Sequence, residues 1–115
     1  MTKPKFEKTI RELRLRVLKG IRLLDDIKGK GWVQKVKVSA LNIKSNEKCV
    51  CGQLYGDFWD AVGSSEEGGP LGVTFEDFWR YGFDLSDEDD DLYAFDLLNS
   101  IWVIEITKLQ LTRNK

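Results

Sequence analysis

DDDLYAFDLLNSIWVIEITKL, residues Asp89 to Leu109, is the stretch whose reading decides the fold. Leu92, Phe95, Leu98, Trp102, Ile106 and Leu109 recur at three- and four-residue spacings, the period of one helix face. Ala94, Leu97, Ile101 and Ile104 widen that stripe beyond what a surface helix needs, so the spacing predicts a helix at the centre of the fold. The preceding DLSDEDDD (Asp84 to Asp91) reads as a turn whose acids sit at the helix N-terminus, where the helix dipole favours negative charge.

Working outward, residues 5–27 form a second periodic segment. Phe6, Ile10, Leu13, Val17, Leu24 and Ile27 line one face, with Pro4 suited to the first turn and Gly29 and Gly31 as stop signals. Arg11, Arg14, Arg16, Lys19 and Arg22 read as spread around the cylinder more than gathered on one stripe. In Trp32 to Ser45, Val36 and Val38 alternate with lysines as a short strand would, and Leu41 and Ile43 continue the alternation; Trp32, Val33 and Val36 also fit a helical turn, so the segment reads as a short helix or irregular piece leading into an extended one. Cys49 to Val62 reads as a helix with Val50, Leu54, Trp59 and Val62 turned inward, Phe58 adjacent to them, and Gly52 and Gly56 as a flat strip for close helix approach. Gly63 to Gly72 is a loop by composition. Thr74 to Asp77 has the form of a capping box, opening a short helix with Phe75, Phe78 and Trp79 that ends at Gly82. The expected architecture is a single domain over residues 1–115, mainly α and compact, or α+β with one short β element near residues 33–43. A basic helix at residues 5–27 precedes an acidic, aromatic-rich helical part at 49–110.

A chain of 115 residues with 42% apolar content suffices for one core without staples. Its net charge of −1 hides a division. Up to Lys48 there are 14 Lys and Arg against 5 Asp and Glu; from Cys49 onward there are 4 against 14. The halves either neutralise one another in the fold or present separate charged faces that steer partners. No apolar run approaches the roughly 18 residues of a membrane span. The basic start lacks the apolar core of a secretory signal, so an intracellular protein with reduced thiols is expected.

The chemistry that the residues permit is limited. There is no histidine, which removes Ser-His-Asp and Cys-His catalysis within the chain, and no phosphate-loop or dinucleotide glycine motif occurs. The expectation is that this is not an enzyme. Cys49 and Cys51 form one C-x-C without a second pair, so packing is favoured over zinc or redox chemistry, and neither a metal nor a cofactor is expected. An EF-hand loop counted from Asp84 would place Asp89 where glycine belongs and Phe95 where glutamate belongs, so the acidic run is not a calcium loop. The same acids can imitate phosphate charge toward a nucleic-acid-binding surface. Asp87, Asp89 and Asp91 are therefore the candidate steering residues, with Phe78 and Trp79 as the aromatic anchor. An alternative places phosphates on Arg14, Lys19 and Arg22 of the basic helix, either in a nucleic acid or in a nucleotide sequestered by an oligomer.

LLDDIKGKGW (Leu23 to Trp32), CVCGQLYGDFW (Cys49 to Trp59), YGFDL (Tyr81 to Leu85) and LNSIWVIEI (Leu98 to Ile106) together resemble a family of small bacteriophage and prophage proteins. That family shows Leu-Asp, Pro-Gly-Trp, then Cys-Val-Leu-Gly-Gln-Leu-Tyr-Gly, a Gly-Phe and a C-terminal helix containing Trp. Here Lys30 stands in place of the Pro and Cys51 in place of the Leu. A leucine at the second cysteine position speaks against a shared metal pair. The resemblance implies a phage-derived protein acting in a bacterial cytoplasm. It attaches no activity, so no functional residue carries over. The expected function is a small accessory protein that binds and inhibits a host protein, foremost a defence nuclease or related nucleic-acid machinery. The oligomeric state is left open.

Overall fold

A computed structural model describes residues 3–62, 69–86 and 93–113. Four α-helices occur among them: α1 (Lys3–Lys28), α2 (Val50–Tyr55), α3 (Phe58–Val62) and α4 (Ala94–Arg113). Three 3₁₀ helices connect them, at Lys30–Lys35, Val38–Ala40 and Phe75–Tyr81. The protein is compact and mainly helical, as the periodicities predict. No helix among the described residues is long and apolar enough to cross a membrane.

The long helices α1 and α4 pack on each other because each turns its apolar stripe inward. Leu13, Val17 and Leu24 of α1 and Leu98, Trp102 and Ile106 of α4 are all 2% exposed or less. The stripe of α4 is narrower than its composition suggests, since Ile104 is 53% exposed; on α1, Ile27 likewise faces out at 42%. The helix Phe75–Tyr81 closes the third side. Glycine at position 20 permits this closure, because a Cβ there would collide with the Tyr81 carbonyl oxygen and lie 3.0 Å from the Trp102 ring. Gly82, which ends the helix with φ 75°, lies so close to α1 that a Cβ would sit 3.0 Å from the Val17 backbone. An aromatic column crosses this junction. Phe58 meets Phe78 edge-on at 5.3 Å, Phe78 meets Phe83 at 5.4 Å, and Phe83 stacks on Trp102 at 5.6 Å.

The alternative of a β element at residues 33–43 is not realised: these residues lie in the 3₁₀ helices and the chain between and after them, and the described residues contain no strand. The physical reason is that amide side chains take the places a neighbouring strand would fill. Gln53 accepts from the Lys37 N–H at 2.7 Å and donates to the Lys37 carbonyl at 3.2 Å. Gln110 donates to the Val33 and Val36 carbonyls, both at 2.8 Å, and Asn99 accepts from the Ile43 N–H at 2.9 Å. Meanwhile Val36, Leu41 and Ile43 are buried without a sheet.

The single helix expected over Cys49 to Val62 is broken in two at Gly56, whose φ is 94°. The break turns Trp59 outward to 52% exposure and buries Phe58 instead. Gly56 therefore belongs to no helix-packing strip, and Gly52 packs against the Asn46 and Glu47 backbone. The capping box is also modified. Thr74 Oγ1 donates to the Asp77 carboxylate at 3.2 Å and makes no side-chain hydrogen bond to the helix backbone. Most of the acidic run, together with Leu92, lies outside the described residues, as do 63–68 of the glycine-rich loop.

The ends of α1 and α4 are tied by ion pairing. Arg113 places two nitrogens on the two Asp25 carboxylate oxygens at 2.8 and 2.9 Å, and the Trp32 indole N–H donates to Asp25 at 2.7 Å. Burial pushes the Asp25 carboxyl up, but these donors and the Arg113 charge outweigh it and hold the group below its ordinary value.

Two outcomes follow. Gly20→Ala is expected to destabilise the protein by about 1–3 kcal/mol through overpacking, against the helix propensity that by itself favours Ala; urea unfolding gives the sign. The Asp25 contribution is present in full above the unfolded carboxyl value, near about 4, and is lost as pH falls through the lower folded value. Urea midpoints measured across acid pH should therefore fall more steeply for the native chain than for Asp25→Asn.

Candidate functional site

Adjacent residues on a 3₁₀ helix differ in direction by roughly 120°, so Phe78 and Trp79 have separate fates. Phe78 is fully buried in the aromatic column and offers no surface to a partner, which corrects its expected role. Trp79 is half-buried at the surface, between the helix that carries it and α1. The guanidinium carbons of Arg16 and Arg80 each lie 4.8 Å from the centre of its indole ring. At exposed sites such cation–π contacts contribute about 0.5–1 kcal/mol each.

Together these residues form a groove of about 250 Å³ lined by Glu12, Leu15, Arg16, Lys19, Trp79 and Arg80. Leu15 is 58% exposed, an apolar side chain surrounded by charge. Arg80, held to Asp77 at 3.1 Å, also lines a second groove with Val73, Thr74 and Tyr81.

The helix wheel explains why α1 supplies this face. With 3.6 residues per turn, Arg11, Leu15, Lys19 and Arg22 fall within about 80° of one another, spread over roughly 16 Å of helix. Arg11, Lys19 and Arg22 are exposed. These three cations of α1 thus share one exposed face and are not spread around the cylinder. Arg14 and Arg16 mark the two edges of this stripe. Arg14 pairs with the buried Glu105 of α4 at 3.0 Å, while Arg16 reaches Trp79. The candidate phosphate set is therefore divided. Arg14 serves the α1–α4 contact, Lys19 lines the groove, and Arg22 lies on the exposed stripe. Asp87, Asp89 and Asp91 lie outside the described residues.

Sequence reasoning missed Arg16, Arg80 and Leu15. An arginine directly following Trp79 was a local signal for one cation; the contribution of α1, more than sixty residues away, had none.

The cysteines have structural surroundings. Cys49 precedes α2, where its sulfur accepts from the Gly52 N–H at 3.2 Å and its thiol donates to the Asn46 carbonyl at 3.8 Å. Both thiols are buried and free. Burial pushes both up, Cys51 well up; at Cys49 the Gly52 N–H opposes this without reversing it. Neither is an activated thiolate. Among the described residues, no three His, Cys, Asp or Glu side chains gather as a metal site requires. In the folded protein, both thiols should react about tenfold or more slowly with DTNB than in urea, because thiolate formation and access are both suppressed. A native thiol that reacts at the unfolded rate would contradict this placement.

No family model matches the chain, and neither the curated proteins nor the solved structures contain one that matches it.

Proposed function

We propose that this chain is a non-enzymatic binding protein that acts by occupying another protein, and that the Trp79 groove is its recognition surface. The observation that carries this reading is the pair of arginines over a half-exposed indole beside an exposed leucine. Tryptophan and arginine are enriched among the few residues that carry most of the energy of protein–protein contacts. Asp25 and Glu105 are engaged by Arg113 and Arg14 in holding the helices together. The resemblance to small phage proteins suggests a bacterial host protein as the target and inhibition as the consequence. Nucleic-acid machinery is then a natural target class.

The exposed Arg11, Lys19 and Arg22 stripe favours a second reading, direct binding of nucleic acid. One experiment separates the two: capture from bacterial lysate with tagged native chain and with Trp79→Ala, each with and without nuclease. A stoichiometric protein that survives nuclease and disappears with Trp79→Ala is the expected result. Recovery of nucleic acid, with every protein lost on nuclease treatment, would replace the first reading by the second. A captured protein indifferent to Trp79→Ala would remove the groove from the function.

A further inference from the structure

The outer side of α4 lacks the polar coat of a surface helix. Its charged residues are Asp96, Glu105, Lys108 and Arg113, of which Glu105 is buried and Arg113 is tied to Asp25. Away from the buried Leu98, Trp102 and Ile106 runs a stripe of Leu97, Ser100, Ile104, Thr107 and Leu111. These residues fall within about 80° of one another and span roughly 21 Å of helix. Ile104 is 53% and Leu111 70% exposed, Ser100 is exposed, and Leu97 and Thr107 are half-buried. A helix that is apolar all round belongs in an interior, and here one side of it faces outward. None of these residues lines the Trp79 groove.

We propose that this stripe is a self-association surface, on which α4 packs antiparallel against α4 of a second copy about a two-fold axis level with Trp102. The three- and four-residue spacing is that of a coiled-coil seam. Along it, large Leu97, Ile104 and Leu111 alternate with small Ser100 and Thr107. An antiparallel pair sets Leu97 opposite Thr107 of the second copy and Ile104 opposite Ser100, a large side chain against a small one. A parallel pair would set large against large and small against small, leaving successive levels overfilled and then empty. The face is therefore complementary to itself, as a two-fold contact requires. Charge points the same way. Asp96 and Lys108 are exposed and stand on opposite flanks of the stripe, near its two ends. Antiparallel packing brings Asp96 of one copy level with Lys108 of the other, whereas parallel packing brings acid level with acid. The Ser100 and Thr107 hydroxyls can donate to the carbonyl one turn earlier, so covering them strands no donor. A lipid surface is a poorer occupant, because it selects a face rimmed with Lys and Arg, and one of these two flanking charges is an acid. Pairing along an element about 30 Å long buries on the order of 1,000 Å² in total, the lower edge for a specific interface, so the dimer is reversible.

The test is sedimentation velocity of the full chain across a concentration series, beside Ile104→Glu and Leu111→Glu. Both positions are exposed, and circular dichroism checks that each variant folds. The native chain is expected to pass from monomer to dimer, and each glutamate to raise the dissociation constant about tenfold or more by burying a charge. Orientation is read by diamide cross-linking: Ser100→Cys chains mixed with Ile104→Cys chains should join more readily than either variant joins itself. A chain that stays monomeric at every concentration, or a dimer that neither glutamate weakens, would overturn the proposal. Preferred joining of each variant to itself would overturn the antiparallel pairing, and growth beyond a dimer would overturn the closed two-fold contact.

Discussion

The indole of Trp102 is the point at which the fold is joined. Its N–H donates to the Gly82 carbonyl at 2.6 Å in a fully buried setting. Its face stacks on Phe83, and its ring edge lies against Gly20 of α1. One side chain of α4 thus sets the separation of α1 from the Phe75–Tyr81 helix. A buried carbonyl deprived of its donor costs about 1–3 kcal/mol, so the hydrogen bond fixes the geometry more strongly than apolar contact alone. The Trp79 groove depends on that geometry. Arg16 reaches the indole only because Gly20 and Gly82 let the two helices approach, and both cluster around the tryptophan of a different helix.

The charge division resolves into two parts. Where the halves meet, charges from opposite halves pair. Arg14 with Glu105 and Arg113 with Asp25 both join α1 to α4. In the second pair the acid comes from the basic half and the base from the acidic half, so the minority charges of each half are used as ties. Away from the contact, α1 keeps Arg11, Lys19 and Arg22 on its exposed face. The packed interior is locally neutralised and the surface of α1 remains cationic.

The long helices were legible because their periodicity is a local property. Leu13, Val17 and Leu24 on α1 and Leu98, Trp102 and Ile106 on α4 are where spacing alone places them. What stayed hidden depends on residues far apart in the chain. Lys37 and Ile43 look like strand residues until Gln53 and Asn99 are seen to satisfy their backbones, and no pattern near residues 33–43 announces those amides. The site was legible by half. An aromatic pair beside charge singled out Trp79, which the fold leaves half-exposed, but could not say that Phe78, its neighbour, is buried. Neighbours on a helix diverge by about 100° or 120° in either geometry; which of the two faces the core is decided by packing against Phe58 and Phe83, far from Phe78 in sequence or beyond the helix end.

The amide-held segment has a further consequence for how the protein behaves in a crowded solution. Alternating valines and lysines with free backbone groups would make a ready edge onto which another chain could add a strand, the usual beginning of edge-to-edge aggregation. Here several of those groups are occupied one by one by Gln53, Asn99 and Gln110, and the backbone is wound into 3₁₀ turns between them. No continuous ladder of donors and acceptors faces outward from residues 33–43. The segment keeps the sequence of a strand while withholding the template, which lets apolar residues such as Val36 and Ile43 fill the core of a small helical protein without recruiting a neighbour.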